Sequence, residues 1–259
     1  MRPRKAKTRP TLRHIAHEWD RMAGIRARQI TEHRDLTYDT VLYPTIRKLI
    51  RYADTSRTLD AGCGTGVLTM QLASSVDTII GVDISDKSIS VARDRASESP
   101  NATFVRSSVE AYATRVSEPF TLAIANMTLM TTPNLKRFLE AISLMLAEAG
   151  TFIFTVTHPW FWPAYWGYDK EPWFDYSSEV AITAPFKISL ETSQIETTHF
   201  HRPLAQYFKA FHIANLAVHG LYEPLPRQHD EQRYPAPWKY PRILAGRCVT
   251  RTKRSRERN

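Results

Sequence analysis

A glycine-rich turn separates a short apolar strand from a run that is compatible with a helix. Residues 59–66 read LDAGCGTG, and VLTMQLASS follows directly. Glycine adopts positive φ readily and lets a ligand approach the main chain closely. Gly62, Gly64 and Gly66 have the spacing G-x-G-x-G, which makes the G-x-G-x-x-G pyrophosphate cradle the less favoured interpretation. The turn therefore predicts a ligand site of another kind at the end of this strand.

Two neighbouring predicted strands each end in an aspartate. Asp60 ends the first strand, and TIIGVDIS ends at Asp83, twenty-one residues after Gly62. A carboxylate in that second position is placed to accept two hydrogen bonds from a ribose diol. Together, LDAGCGTG and Asp83 resemble motifs I and II of the class I S-adenosylmethionine-dependent methyltransferases.

From residue 58 onward, predicted strands and helices alternate, which is typical of βαβ units. Five such steps predict an α/β fold with a doubly wound parallel sheet. The resemblance extends this prediction to a seven-stranded, mostly parallel, Rossmann-like methyltransferase sheet whose last two strands are antiparallel. Ligands of such sheets bind outside the carboxyl ends of the strands.

Composition and periodicity suggest how the chain is organised around this sheet. A helical cap precedes it, and an aromatic-rich lid is inserted after its fifth strand. Residues 184–201 alternate over two runs, as a hairpin does, and 203–218 have a helical pattern. The predicted segments are a basic, disordered tail at 1–13, the helical cap at 14–54, a cofactor-binding core at 55–158, the lid at 159–202, the C-terminal part of the core at 203–252 and a basic tail at 253–259.

The net charge of +9 comes from the two ends of the chain. Residues 1–13 hold six Lys and Arg and no acid, and 251–259 hold five and one Glu, which leaves 24 basic and 25 acidic residues between them. A basic tail can bind polyanions, although most such tails are simply solvated. The body of the chain therefore gives no nucleic-acid signal.

Several classes of protein are disfavoured by what the sequence lacks. No apolar run approaches the length of a membrane span, and the basic N-terminus has no apolar segment after it as a secretory signal would. Cys63 and Cys248 do not make a disulfide framework. We expect a cytoplasmic protein that is not membrane-bound.

The resemblance implies S-adenosylmethionine as cofactor and assigns its contacts. The glycines shape the turn around the methionine part, Asp60 lies beside the amino-acid group, and Asp83 holds the ribose hydroxyls. Many relatives have Asp where Ser108 stands here, so a hydroxyl or the main chain would take the adenine contact. The implied cofactor-binding residues are Asp60, Gly62, Gly64, Gly66, Asp83, Ile84, Ser108, Val109 and Asn126.

Methyl transfer is an in-line displacement that depends mainly on positioning the acceptor. A hydroxyl acceptor also needs a base, and histidine is the usual one. His158, in THPWFW after the fifth strand, and His201, in HRPLAQYF, stand in segments that resemble a large group of bacterial small-molecule methyltransferases. Both are candidate catalytic residues, although His201 could instead precede a helix with Pro203 at its first position. No group of His, Cys and Asp has metal-ligand spacing, so no metal is expected.

Residues 160–176 hold nine aromatic side chains. We predict a mixed role, in which some rings form the core of the lid and others contact a flat or cationic acceptor. The N-terminal helices would complete that wall. The predicted acceptor-binding residues are Trp19, Tyr38, Trp160, Phe161, Trp166 and His199.

These features favour a methyltransferase acting on a small, aromatic or hydrophobic acceptor at oxygen, nitrogen or activated carbon, working as a monomer or homodimer. One alternative is an RNA methyltransferase that uses the basic tails. The segment ANMTL at 125–129 lacks the N-P-P-Y pattern of enzymes that methylate exocyclic amines of bases, so nucleic acid is the less expected partner. A second alternative is a regulatory or non-methylating protein that binds S-adenosylmethionine.

Overall fold

A computed structural model describes residues 2–97 and 99–251. The strands are β1 Arg4–Lys5, β2 Arg57–Ala61, β3 Thr78–Asp83, β4 Ala102–Arg106, β5 Phe120–Asn126, β6 Leu146–Thr157, β7 Val180–Lys187, β8 Thr192–His201, β9 Leu216–Tyr222 and β10 Ile243–Thr250. The helices are α1 Leu12–Thr31, α2 Tyr43–Ile50, α3 Val67–Ala73, α4 Asp86–Arg95, α5 Val109–Ala113, α6 Leu135–Met145, α7 Trp162–Trp166, α8 Leu204–Ile213 and α9 Gln228–Glu231, with a π-helical turn Tyr38–Leu42 before α2.

The larger sheet has seven strands in the order β4-β3-β2-β5-β6-β10-β9. Neighbours from β4 to β6 are parallel, whereas β10 runs antiparallel to both β6 and β9. The predicted seven-stranded, mostly parallel sheet is therefore confirmed. The order of the strands reverses direction between β2 and β5, and such a switch point opens a crevice at the carboxyl ends of the strands.

Both faces of this sheet are covered by helices. In β5, the side chains from Leu122 to Ala125 are all 0% exposed, as expected for a central parallel strand. One face packs against α6 and α8, for example through Phe211, and the other packs against α2 and α3 through residues such as Ile46 and Leu72. The core therefore has two layers, one on each face of the sheet, and the strand ends are left free for a site.

The insertion after β6 builds a second, antiparallel sheet in the order β1-β7-β8. The predicted hairpin is formed by β7 and β8. Helix α1 lies against this sheet, because Glu18 accepts hydrogen bonds of 2.8 Å from both the backbone N–H and the hydroxyl of Thr198. The insertion is thus joined to the N-terminal helix as well as to the main sheet.

The prediction of a disordered tail over residues 1–13 is wrong for part of that segment. Arg4 and Lys5 pair with the edge of β7, and Thr11 caps α1, which begins at Leu12. An exposed strand edge offers unpaired backbone groups, and the short strand satisfies some of them. The predicted C-terminal tail at 253–259 lies outside the described residues.

Two element boundaries also differ from the prediction. Helix α8 ends at Ile213, well before residue 218, because Asn215 has a φ of 61° and residues from Leu216 onward pair with β10. The sequence also predicts a helix over 133–147 that Gly150 ends, whereas strand β6 already begins at Leu146, which pairs with Phe120. In both places pairing with a distant strand ends the helix. None of the helices in the described part of the chain is both long and apolar enough to cross a membrane.

Candidate functional site

A cavity of about 270 Å³ lies at the carboxyl ends of the parallel strands. One part of its wall consists of the turn after β2, the end of β3 and the start of α5. The opposite part consists of α1, the loop after β5, Thr157 at the end of β6, α7, and the facing segments of β7 and β8. The cavity therefore lies between the sheet edge and the insertion.

Three glycines form the turn after β2, all with positive φ: 85° at Gly62, 53° at Gly64 and 74° at Gly66. A Cβ at Gly62 would lie 2.4 Å from the Thr128 side chain, and one at Gly66 would lie 2.7 Å from Phe104. A Cβ at Gly64 would meet no atom within 4 Å, although Gly64 lines the cavity. Gly62 and Gly66 are thus needed for packing as well as conformation, and the turn forms a cradle open at Gly64.

The carboxylate of Asp83 is held at the edge of this cradle. Its Oδ2 accepts a hydrogen bond of 2.9 Å from the backbone N–H of Gly64, and its Oδ1 accepts one of 2.8 Å from that of Ser85. Burial raises the pKa of Asp83, and the two backbone hydrogen bonds oppose that rise. Each oxygen of a carboxylate can accept a further hydrogen bond. Asp83 lines the cavity and can therefore bind a diol there.

Asp60 is not on the cavity wall. It is 1% exposed beneath the glycine turn, where Oδ2 accepts a hydrogen bond of 2.6 Å from Thr69 Oγ1. Its Oδ1 has no hydrogen-bond partner within residues 2–97 and 99–251. Burial raises the pKa of Asp60 to about 7, and the nearby charge of Asp83 adds to the rise. The structure therefore does not show the direct contact predicted for Asp60, and it leaves a buried carboxylate oxygen unsatisfied behind the turn.

The remaining residues predicted to bind the cofactor line the cavity, namely Ile84, Ser108, Val109 and Asn126. Ser108 caps α5, since its hydroxyl accepts a hydrogen bond of 3.1 Å from the backbone N–H of Ala111. Asn126 Oδ1 accepts a hydrogen bond of 2.7 Å from Thr155 Oγ1, which fixes the orientation of its amide. These contacts hold both polar side chains at the strand ends.

The two candidate catalytic histidines lie outside the cavity, contrary to the prediction. His158 Nε2 is 2.8 Å from Glu223 Oε1, and its Nδ1 accepts a hydrogen bond of 3.2 Å from the backbone N–H of Trp160. His201 Nε2 is 3.0 Å from the backbone oxygen of Tyr176, and burial lowers the pKa of its ring. Both rings are engaged in contacts outside the cavity, and neither residue lines it.

His199 does line the cavity. Its Nε2 lies 3.4 Å from the hydroxyl of Tyr168, and its ring centroid is 4.5 Å from that of Trp166. Burial lowers the pKa of His199 to about 3, and the charges of His201 and Arg202 act in the same direction. The imidazole is therefore neutral at pH 7 and a weak base.

The aromatic segment is divided between the cavity and a separate core. Trp166 lines the cavity, as do Trp19 and Tyr38 from the N-terminal region. Trp160 and Phe161 were predicted to join them, but Trp160 is 61% exposed and Phe161 stacks on a ring outside the cavity. The reason is that the rest of the segment packs around the buried Tyr168 and leaves these two rings on the outer side.

Several residues of the wall were not identified from the sequence. Trp162 and Tyr165 join Trp166 on one side of α7, and their i, i+3, i+4 spacing was a usable helical signal. Phe186 and Arg242 also line the cavity, and nothing in their local sequence marks them. Among the described residues, no group of three or more His, Cys, Asp or Glu side chains is arranged to hold a metal.

Comparisons with known proteins agree with this geometry. Residues 53–171 match the model of a family described as a methyltransferase domain. No curated protein matches the chain in sequence.

Solved structures with similar folds include three methyltransferases. One is a S-adenosylmethionine-dependent methyltransferase from Clostridium acetobutylicum, with 16% identity, a TM-score of 0.63 and coverage of 90% of this chain and 99% of that one. Another, from Mesorhizobium loti, has 21% identity, a TM-score of 0.61 and coverage of 80% and 96%. The third is magnesium protoporphyrin IX methyltransferase from Synechocystis PCC 6803 with bound S-adenosylhomocysteine, with 13% identity, a TM-score of 0.61 and coverage of 92% and 99%. At such identities, the likeness establishes the fold.

Proposed function

Because the chain contains a methyltransferase domain at residues 53–171 and has the class I S-adenosylmethionine-dependent methyltransferase fold, we propose that it methylates a small, flat organic acceptor. The match to a methyltransferase domain and the likeness of fold support the family, enzyme class and cofactor that the sequence predicts. One observation carries the finer proposal. A single cavity has the glycine turn and Asp83 on one side and aromatic rings of the insertion on the other.

The residues at the first of these two sides suit S-adenosylmethionine. The open cradle at Gly64 leaves room for the methionine part, and Asp83 has lone pairs for the ribose hydroxyls. Ile84 and Ser108 would hold the adenine. The unsatisfied Oδ1 of Asp60 leaves a buried hydrogen-bond acceptor behind the position of the methionine ammonium. When bound, the cofactor supplies a methyl group on a positively charged sulfur, which departs as a neutral thioether.

The second side would position the acceptor. Trp19, Tyr165 and Trp166 line this side, and a flat acceptor packed against their rings would exclude water from the reacting atoms. Holding two reactants in line contributes about 7–11 kcal/mol to lowering a barrier. Of the three histidines predicted for the site, His199 alone lines the cavity. Its low pKa makes it a poor base at pH 7. We therefore propose catalysis mainly by positioning, with His199 contacting the acceptor.

The charges of the N-terminal segment favour a small acceptor over RNA. Arg4 forms an ion pair with Glu196, and Arg9 lies 2.6 Å from Glu179. These two arginines belong to the basic run that suggested a polyanion partner, and both have carboxylate partners on the insertion. That run is consequently less available for phosphates than its sequence suggests.

Calorimetric titration with S-adenosylmethionine tests the proposal. Wild type should bind it, and Asp83→Ala should weaken binding roughly ten- to a hundredfold, since a hydrogen bond to a charged group contributes about 1.5–3 kcal/mol. Asp94→Ala is the matched control, because Asp94 is an exposed aspartate of α4. Absence of binding by folded wild type, or equal binding by both variants, would contradict the assigned cofactor site. Release of S-adenosylhomocysteine only with an acceptor present would separate methyl transfer from simple binding.

A further inference from the structure

Arg242 is a buried cation on the cavity wall. Its side chain lines the cavity, and the residue is 6% exposed. The guanidinium lies between two rings, with Cζ 4.0 Å from the Tyr165 centroid and 4.5 Å from the Trp238 centroid. Its Nη2 donates to the carbonyls of Ala236 and Pro237, at 3.2 and 3.1 Å. These contacts orient the guanidinium plane, and both of these hydrogen bonds use the same nitrogen, Nη2.

No carboxylate within residues 2–97 and 99–251 lies within ion-pair distance of Arg242. By contrast, the buried Arg202 has a hydrogen-bond or ion-pair partner for each nitrogen of its guanidinium. Its Nε lies 2.6 Å from Glu179, and its Nη1 and Nη2 donate to two backbone carbonyls. Burial lowers the pKa of Arg242, because the charged form loses hydration. A buried cation without an anion is unfavourable, so Arg242 would gain from an anionic ligand.

Arg242 lies on the other side of the switch point from Asp83. The adjacent Ile243 pairs with Thr157 of β6, and the Arg242 carbonyl accepts a hydrogen bond of 2.8 Å from the His158 N–H. In the sheet order, β6 and β10 stand on one side of the switch point, and β3, which carries Asp83, stands on the other. Arg242 is therefore placed to meet the acceptor.

The charges on the wall follow the same division. Lys187 lines the cavity near Arg242, with Nζ 5.7 Å from the Tyr165 ring centroid, and it has no ion-pair partner among the described residues. Three carboxylates line the cavity. Asp35 is paired with Arg26 at 2.7 Å, and Asp83 and Glu110 lie at the cofactor side. The acceptor half is therefore left with uncompensated positive charge.

We propose that Arg242, assisted by Lys187, binds a carboxylate of the methyl acceptor, so that the substrate is an aromatic carboxylic acid. This inference rests on the proposed function. The planar guanidinium matches a carboxylate with two parallel hydrogen bonds, and the neighbouring rings suit a flat substrate. A carboxylate held in this way has its lone pairs engaged, so it orients the molecule while another atom accepts the methyl.

Matched carboxylate and amide probes test this inference on the full chain. First, wild type and variants are titrated with S-adenosylhomocysteine. The saturated complexes are then titrated with 4-hydroxybenzoate against 4-hydroxybenzamide, and with indole-3-acetate against indole-3-acetamide. In wild type, at least one carboxylate should bind tenfold or more tightly than its amide. Arg242→Gln should abolish that preference and change S-adenosylhomocysteine affinity less than threefold.

Two further variants keep the result interpretable. Arg233→Gln is the matched control, because Arg233 is exposed and pairs with Asp230. Lys187→Met removes an exposed cation, so it should fold even if Arg242→Gln does not, and it should reduce the carboxylate preference at least threefold.

Three results would overturn the inference. They are equal binding of carboxylates and amides, absence of carboxylate binding to the S-adenosylhomocysteine complex, and a tenfold loss of S-adenosylhomocysteine affinity in Arg242→Gln, which would assign Arg242 to the cofactor's own carboxylate. If wild type binds no S-adenosylhomocysteine at all, the proposed function itself fails.

Discussion

The backbone N–H of Gly64 donates a hydrogen bond of 2.9 Å to Asp83 Oδ2, so the turn after β2 is tied to the end of β3. The N–H groups of Gly62 and Cys63 both donate to the Val82 carbonyl, at 2.7 and 3.1 Å. Backbone hydrogen bonds to the neighbouring strand and its end therefore hold the cradle in shape. A site that is already ordered loses less conformational entropy when it binds.

Two glycines of the cradle should respond differently to alanine. Gly64→Ala introduces strain from positive φ alone, about 1–2 kcal/mol, because its Cβ meets nothing within 4 Å. Gly62→Ala adds the clash with Thr128 and should lower the free energy of unfolding at least twice as much. Gly24→Ala is the control, since Gly24 is exposed in α1 and alanine there should stabilise by about 1 kcal/mol. Urea denaturation measures all three, and equal losses at Gly62 and Gly64 would contradict the packing argument.

Stability should depend on the protonation of Asp60. Its pKa is raised from 3.8 to about 7, so between these values the folded chain keeps a proton that the unfolded chain releases. The raised pKa of Asp60 therefore adds a stabilising contribution to the free energy of unfolding. This contribution is fully present below pH 3.8 and is lost as pH rises through 7. Asp60→Asn keeps an acceptor for Thr69 and removes the charge.

As pH rises from 5 to 8, the free energy of unfolding of Asp60→Asn should increase by about 1–3 kcal/mol relative to that of wild type. The size follows because a shift of one pKa unit corresponds to about 1.4 kcal/mol. Urea denaturation without ligand at both pH values measures the gain. Asp94→Asn, on the exposed side of α4, is the control. An unchanged difference between wild type and Asp60→Asn would mean that the carboxylate is charged throughout.

His158 should matter for stability more than for chemistry. His158→Gln disturbs the contacts to Glu223 and to the Trp160 backbone, and should lower the free energy of unfolding by about 1–3 kcal/mol. Affinity for S-adenosylhomocysteine should stay within twofold in calorimetry. Glu223→Gln is a milder control because Glu223 is largely exposed. A hundredfold loss of kcat in a variant of wild-type stability would instead identify His158 as a base.

Arg202 should be a strong anchor of the insertion. It connects the end of β8 to the loop after β5 through the carbonyls of Leu129 and Thr132, and it is paired with Glu179. Arg202→Ala should cost about 3–5 kcal/mol, since it leaves a half-buried carboxylate with one partner fewer. Arg9→Ala removes an exposed partner of the same Glu179 and should cost about 1 kcal/mol or less. Similar thermal shifts for the two variants would argue against this role.

The parts of the site that could be predicted are those whose chemistry is local. The glycine turn was visible because three nearby positive-φ residues have few alternatives to glycine. Asp83 was visible because it ends a strand beside that turn, and parallel strands bring their carboxyl ends to one edge. Both inferences need only the order of strands and helices along the chain.

The histidines show where local reasoning failed. Thr157 lines the cavity and the adjacent His158 does not, because its ring is held on the other side by Glu223, which lies 65 residues further along the chain. His199 and His201 are separated in the same way, since only His199 reaches the cavity. The position of His158 at the correct sheet edge was visible from the sequence, whereas the side to which each histidine ring points was not.

The sequence by itself determined the alternation of strands and helices and the backbone shape of the glycine turn, whereas the cofactor was implied by the resemblance to a known family. These depend on conformational preferences of neighbouring residues. Only the tertiary structure decided which rings face the cavity and that Arg242 lies against Tyr165, because both depend on the pairing of β6 with β10 and on packing of the insertion. Such contacts join segments far apart in the chain, and no local pattern encodes them.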